Sequence, residues 1–241
     1  MRTVRGREIR GRELFDDPAA DGATVLASLR DIARANRLFG GAAAAVARLD
    51  EFFRAAARGT TLTLLDVGTG EGDIPRAARR RAARRGIQLR LLGLERHAAA
   101  ARRAARGGQL AAVRADARTL PFATHSVDLV LCSQLLHHFG DAALIAVVTE
   151  LARVARLGVV VADLRPSRLA AMGIWLASFP LAFHPVSRHD GVLSVLRGFT
   201  APALRRACAA AGVDAEVRTH PIGRVTAAWR TAGGVGGAPS R

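Results

Sequence analysis

Lysine and tyrosine are absent from the 241 residues, and cysteine occurs only twice. Cys132 and Cys208 lie far apart in apolar surroundings with no His or Cys at metal-ligand spacing. That excludes a disulfide framework, predicts no metal site, and suits a reducing compartment. The longest apolar run, Leu169 to Phe183, is broken by Gly173, Ser178 and Pro180. At about 15 residues it falls short of the roughly 20 that a bilayer span needs. Met1 to Leu14 alternates Arg, Gly and Glu without the apolar core of an export signal, so a cytoplasmic protein is expected. Aromatic residues make up 5% of the chain, too few for a surface that stacks nucleic-acid bases. Half of the chain is apolar, enough for the core of one α/β domain. The formal charge of +16 comes entirely from arginine over the acids. An Arg-only basic set in an alanine-rich chain looks like GC-rich coding, so the charge is discounted as a sign of nucleic-acid binding.

Apolar spacing predicts helices from Asp21 to Phe53, with a break at Gly40-Gly41. Strands are expected at Thr61–Val67, Gln88–Glu95, Ala111–Asp116, Val127–Ser133 and Val159–Leu164. Helices fall between them at Ile74–Arg85, His97–Arg106 and from Asp141 to a stop at Gly158. This period is that of an α/β, doubly wound, mostly parallel sheet. A helix at Ala201–Ala211 capped by Thr200, then paired strands at Ala215–Thr219 and Arg224–Arg230, would complete seven strands. The expected organisation is a helical extension over 1–58, a sheet domain over 59–232 with a helical cap insertion at 167–199, and a disordered tail at 233–241.

The most informative segment is Leu65-Asp66-Val67-Gly68-Thr69-Gly70-Glu71-Gly72-Asp73. Glycines at a strand end let the backbone approach a ligand, and the next helix offers free N–H groups. The spacing G-x-G-x-G departs from the dinucleotide fingerprint, and no G-K-[ST] of a P-loop follows. Glu71 and Asp73 would repel a pyrophosphate and attract a cationic amino or sulfonium group. On these residues the chain resembles the class I S-adenosylmethionine-dependent methyltransferases of the small-molecule, ubiquinone and menaquinone methyltransferase-like branch, over roughly Leu62 to Leu164. The resemblance implies a Rossmann-like fold and S-adenosylmethionine as cofactor. It assigns Asp66, Gly68, Thr69, Gly70 and Asp73 to the cofactor loop, and Glu95 to the ribose hydroxyls. Asp116 and Ala117 would take the adenine, and Ser133 would close the fourth strand over the site.

The acceptor is less determined. Cys132-Ser133-Gln134-Leu135 lacks the Asn/Asp-Pro-Pro-aromatic pattern of enzymes that methylate base nitrogens, and neither cysteine adjoins a proline. Trp175 and Phe179 in the apolar run are candidates for lining an acceptor pocket, or for touching a membrane surface through 169–183 beside Arg165 and Arg168. Proton removal from a phenol needs a base, and histidine supplies one near neutrality. His189 beside Asp190 is the first candidate and His138 the second, with His137 and Arg197 as further acceptor contacts. The stretch Ser187-Arg188-His189-Asp190-Gly191 resembles methyltransferases of type III polyketide synthase clusters. The expected reaction is methyl transfer to oxygen or carbon of a hydrophobic phenol, quinol or polyketide-derived aromatic. An RNA methyltransferase and a non-catalytic cofactor-binding protein stay open as alternatives, as does the oligomeric state.

Overall fold

The computed structural model describes residues 11–231 apart from 18 and 107, so the tail expected at 233–241 lies outside the described residues. Two amphipathic helices come first, α1 (Gly22–Leu38) and α2 (Gly41–Ala55). Asp21 caps α1 by accepting from the Thr24 N–H, and the left-handed Gly40 (φ +74°) turns the chain into α2. The sheet then alternates with helices: β1 (Thr61–Val67), α3 (Asp73–Ala83), β2 (Gln88–Glu95), α4 (Ala98–Ala105), β3 (Ala111–Arg114), β4 (Val127–Ser133), α5 (Asp141–Val154) and β5 (Ala155–Leu164). Next come α6 (Arg168–Ala177), α7 (Pro185–Arg197), α8 (Ala201–Ala210), β6 (Glu216–His220) and β7 (Arg224–Arg230).

The strands form one seven-stranded sheet in the order β3-β2-β1-β4-β5-β7-β6, parallel except that β7 runs antiparallel to both its neighbours. Strand alternation sends side chains to two separate cores. Leu65, Val67, Val130, Cys132, Val159 and Val161 pack under α5 and α8. Leu62, Leu64, Leu129, Leu131, Val160 and Ala162 pack under α2 and α3 on the other face. Both cysteines are free and buried, and burial pushes the Cys208 thiol up to about 12, so neither is a nucleophile.

One sequence expectation is corrected here. Gly158 does not stop α5: the helix ends at Val154, and Gly158 pairs with Leu129 and Arg230 inside β5. A Cβ on Gly158 would sit 2.3 Å from the Phe52 ring and 2.6 Å from the Trp229 carbonyl. The glycine is there because α2 lies so close to the sheet, a requirement set by tertiary packing that a helix-stop rule cannot see. The expected strand Ala111–Asp116 also stops at Arg114, and Asp141 is the first helical residue of α5, with Gly140 before it at the cap.

Candidate active site

The carboxyl ends of β1, β2, β4 and β5 open into one cavity of about 850 Å³. It lies where strand order reverses between β1 and β4, the crevice in which open α/β sheets bind ligands. All nine residues that sequence reading gives to the cofactor line it: Asp66, Gly68, Thr69, Gly70, Asp73, Glu95, Asp116, Ala117 and Ser133.

The loop after β1 holds its shape through glycine. Gly68, Gly70 and Gly72 have φ of +77°, +52° and +74°, and a Cβ on Gly68 would meet Leu135 at 3.1 Å. The N–H groups of Gly68 and Thr69 donate to the Leu94 carbonyl at 2.9 and 3.1 Å, stitching the loop to the end of β2. Glu95 accepts from the Gly70 N–H at 3.2 Å and from the Arg96 N–H at 2.8 Å. Burial pushes the Asp66 carboxyl up to about 7, with the charges of Asp73 and Glu95 adding to the rise. Burial also raises Asp73, against a hydrogen bond from Asn36 at 3.2 Å. Asp116 differs, because paired bonds from Arg118 at 2.7 and 3.0 Å hold its carboxyl below the usual range. Asp66 Oδ1, Thr69 Oγ1 and Ser133 Oγ are buried without a hydrogen-bond partner among the described residues. Acids that burial destabilises, beside orphaned polar atoms, fit a ligand that brings a cation and hydroxyl or amine groups.

The other half of the cavity is built from distant segments. His137 and His138 form a short 3-10 turn after β4, with ring centroids 4.4 Å apart. His137 Nδ1 meets Asp163 at 2.7 Å, and His138 Nδ1 meets Asp16 at 2.9 Å. Both Nε2 atoms lie 3.8 Å from the same Glu13 oxygen. Burial alone would lower the His137 pKa, but Asp163 and then Glu13 outweigh it and lift the imidazole to about 9. Glu13, His137 and His138 bring one ligand-type atom each within 4.8 Å of one another, an arrangement that can hold a proton or a small cation. Segment 13–17 is tied across this half by Arg197, which donates to Glu13 at 2.9 Å and Asp16 at 3.0 Å. Asp190 adds to the tie by accepting from the Leu14 N–H at 2.7 Å.

Several expected acceptor residues take other places. His189 does bond Asp190, at 2.9 Å, but its side chain is 66% exposed and stands outside the cavity lining; Asp190 lines the cavity and spends its second oxygen on Leu14. Arg197 stays behind the wall as the clasp on Glu13 and Asp16 and does not line the cavity. Trp175 and Phe179 point outward, stacked edge to face at 5.0 Å, while Ala170, Gly173 and Ile174 of the same helix, with Phe183 beyond it, face inward. The run is apolar on both faces, so composition could not tell which side closes the pocket.

Residues 64–158 match the family model for a methyltransferase domain. No curated protein matches the chain in sequence. Its fold is similar to that of a SAM-dependent methyltransferase from Aquifex aeolicus, with a TM-score of 0.60 at 13% identity over 88% of this chain and 99% of that one. Human N-acetylserotonin methyltransferase, solved with SAM, gives a TM-score of 0.64 at 11% identity, over 92% of this chain and 60% of that chain. The CurJ carbon methyltransferase gives 0.56 at 10% identity, over 76% and 52%.

Sequence reasoning missed Glu13, Asp16, Asn36 and Arg224, which line the cavity, and Asp163, which holds His137 from behind the lining. Asn36 faces the cavity while its neighbour Arg37 is exposed, and one residue of helical phase separates the two. Glu13 had no signal along the sequence, because its partners stand 181 and 184 residues away.

Proposed function

We propose that this protein is an S-adenosylmethionine-dependent methyltransferase that transfers a methyl group to oxygen or carbon of a hydrophobic small molecule. The observation that carries the reading is a single cavity in which the nine expected cofactor residues face a histidine pair across an apolar wall. Asp66, Asp73 and Glu95 suit the amino group and ribose hydroxyls, and Asp116 with Ala117 suits the adenine. The cofactor supplies a methyl group on a sulfonium. With that group bound beside Asp66, Asp73 and Glu95, a hydroxyl acceptor would have to give up its proton to a base of this chain. His137, lifted to about 9, is already protonated at neutral pH and serves as a hydrogen-bond donor. His138 takes the proton. With Asp16 ionised its Nδ1–H donates to that carboxylate, which leaves Nε2 as the basic nitrogen.

The surface bears on two candidate partners, a membrane and RNA. Leu169, Met172, Trp175, Leu176 and Phe179 form an exposed apolar stripe on and just beyond α6, and Leu169 with Ile222 also lines the cavity. Arg165 and Arg168 flank it, so the stripe supports peripheral contact with an anionic membrane that holds a lipophilic acceptor. No helix of the described residues is long and apolar enough to cross a membrane. The arginines argue against an RNA substrate, since Arg81 and Arg85 are spent on Asp50, Arg153 on Glu150 and Arg156 on Asp128.

Calorimetric titration with S-adenosylmethionine, followed by transfer of a labelled methyl group to a panel of phenols and quinols, tests the proposal. Micromolar binding with turnover on a member of the panel is expected. Binding without turnover on any acceptor would favour the non-catalytic alternative, and no binding to the folded protein would end the methyltransferase reading.

A further inference from the structure

Arg224 opens β7 opposite Leu164 of β5 and lines the cavity. Only 7% of it is exposed, and its Nε and Nη1 are buried without an acceptor among the described residues. A buried guanidinium is costly unless a counter-charge meets it. The candidate is Asp163, whose charge acts on Arg224; its Oδ1 accepts from His137 Nδ1 and from the Leu164 N–H, both at 2.7 Å, and its Oδ2, though buried without a hydrogen-bond partner among the described residues, makes no ion pair with Arg224. His137 is protonated at neutral pH, so Asp163 already has its cation. Burial accordingly pulls the Arg224 pKa down to about 10, still far above neutrality.

Apart from Asp163, the described residues around it supply no anion. The guanidinium lies against the first residue of α2: a Cβ on Gly41 would stand 3.2 Å from both Cζ and Nη2. That end of a 15-residue helix carries the positive pole of its dipole, and its cap, Gly40, has no side chain to satisfy the first-turn N–H groups. Beside it stand the neutral amides Asn36 and Gln134, bonded to each other. An uncapped helix start and an unmatched guanidinium therefore meet at the cavity wall, on the side of the histidine pair.

We propose that Arg224 is a carboxylate-binding residue, so that this cavity takes a ligand carrying a carboxylate on the histidine side. The carboxylate can come from a lipophilic aromatic acid as the acceptor or from the amino-acid tail of the cofactor. Naming the acceptor rests on the methyl-transfer reading; the carboxylate site itself does not. An acid acceptor would be oriented by its ionised end on Arg224, with its apolar body against Ile174 and Phe183.

The test uses the full chain and Arg224→Met, with Arg224→Lys as a variant that keeps the charge. Calorimetry would measure S-adenosylhomocysteine, and a matched pair of probes, 4-butylbenzoate and 4-butylbenzamide. If the acceptor supplies the carboxylate, the wild type prefers benzoate to benzamide by about tenfold, Arg224→Met erases the preference, and S-adenosylhomocysteine binding holds within twofold. If the cofactor supplies it, Arg224→Met weakens S-adenosylhomocysteine by about tenfold and the probes show no preference. Arg224→Lys falls between wild type and Arg224→Met in either case. Removing an unmatched charge should also raise Tm by about 2–4 °C. Affinities unchanged within twofold for all three ligands would overturn the proposal. So would a lowered Tm or a misfolded Arg224→Met, which would make the guanidinium a structural partner of Asp163. A wild type that prefers benzoate but ignores S-adenosylhomocysteine would sink the methyltransferase reading and leave the carboxylate site standing.

Discussion

The two halves of the cavity are made in opposite ways. The half under β1, β2 and β3 is local: its loop runs from Asp66 to Asp73 without a gap, and Glu95 and Asp116 each end a strand or follow one. Its buried acids Asp66 and Asp73 have no cationic side chain bonded to them among the described residues, and burial raises both. The half under β4 and β5 is assembled from segment 13–17, the turn at His137-His138, α7 and the start of β7. There three acids of the wall have a cation: Asp163 has His137, and Glu13 and Asp16 share Arg197. Charges that wait for a ligand stay unmatched, as Asp66, Asp73 and, at the start of β7, Arg224 do, whereas those that hold the wall together are matched.

The sharpest way to break the local half is Gly68→Arg. A left-handed backbone with Leu135 at 3.1 Å leaves no room, so binding of S-adenosylmethionine should fall below detection by calorimetry. Affinity within tenfold of wild type would show that the loop does not hold the cofactor. His138→Gln addresses the assembled half alone. It should cut turnover on a hydroxyl acceptor by about 10²–10⁴ while leaving S-adenosylhomocysteine affinity within twofold; a parallel loss of both would mean that the halves are not separable.

Acidity separates them further. His137 has a folded-state pKa raised from 6.5 to about 9, so its contribution is fully present below pH 6.5 and is lost as pH rises through about 9. The loss is on the order of 3 kcal/mol. Urea unfolding between pH 6 and pH 10 should show the decline in wild type and a flatter profile in His137→Gln; equal slopes would contradict the pairing with Asp163. The smallest effect is on the other side. Asp66 ionises only near pH 7, so S-adenosylmethionine affinity should rise by about tenfold between pH 6 and pH 8 as the carboxylate appears. Calorimetry across that range would show the rise, and an Asp66→Asn variant would lack it.

The same contrast explains what sequence could tell. Four of the seven strands, Thr61–Val67, Gln88–Glu95, Val127–Ser133 and Arg224–Arg230, have their observed limits in the alternation and turn residues alone. The residues expected at the cofactor were legible as one lining because neighbours along the chain are neighbours in space at a strand end. Arg224 was visible only as the first residue of a strand, and Glu13 only as one acid in a basic leader. Their meaning lies in contacts across the whole chain, for which no spacing rule exists. His189-Asp190 shows the reverse error: adjacent residues that do bond each other, on a helix turned so that the histidine meets solvent.

The wall of segment 13–17 also sets an order in time. It is fastened by contacts that span 176 to 184 residues, and Leu14 and Phe15 are only partly buried, so it docks after the sheet has formed and lets go before the sheet opens. Amide hydrogen exchange would find Leu14 opening while Val130 stays protected. Each such opening uncovers the histidine side and breaks the bond from Arg96, beside Glu95, to the Phe15 carbonyl, so one motion of this segment reaches both halves of the cavity.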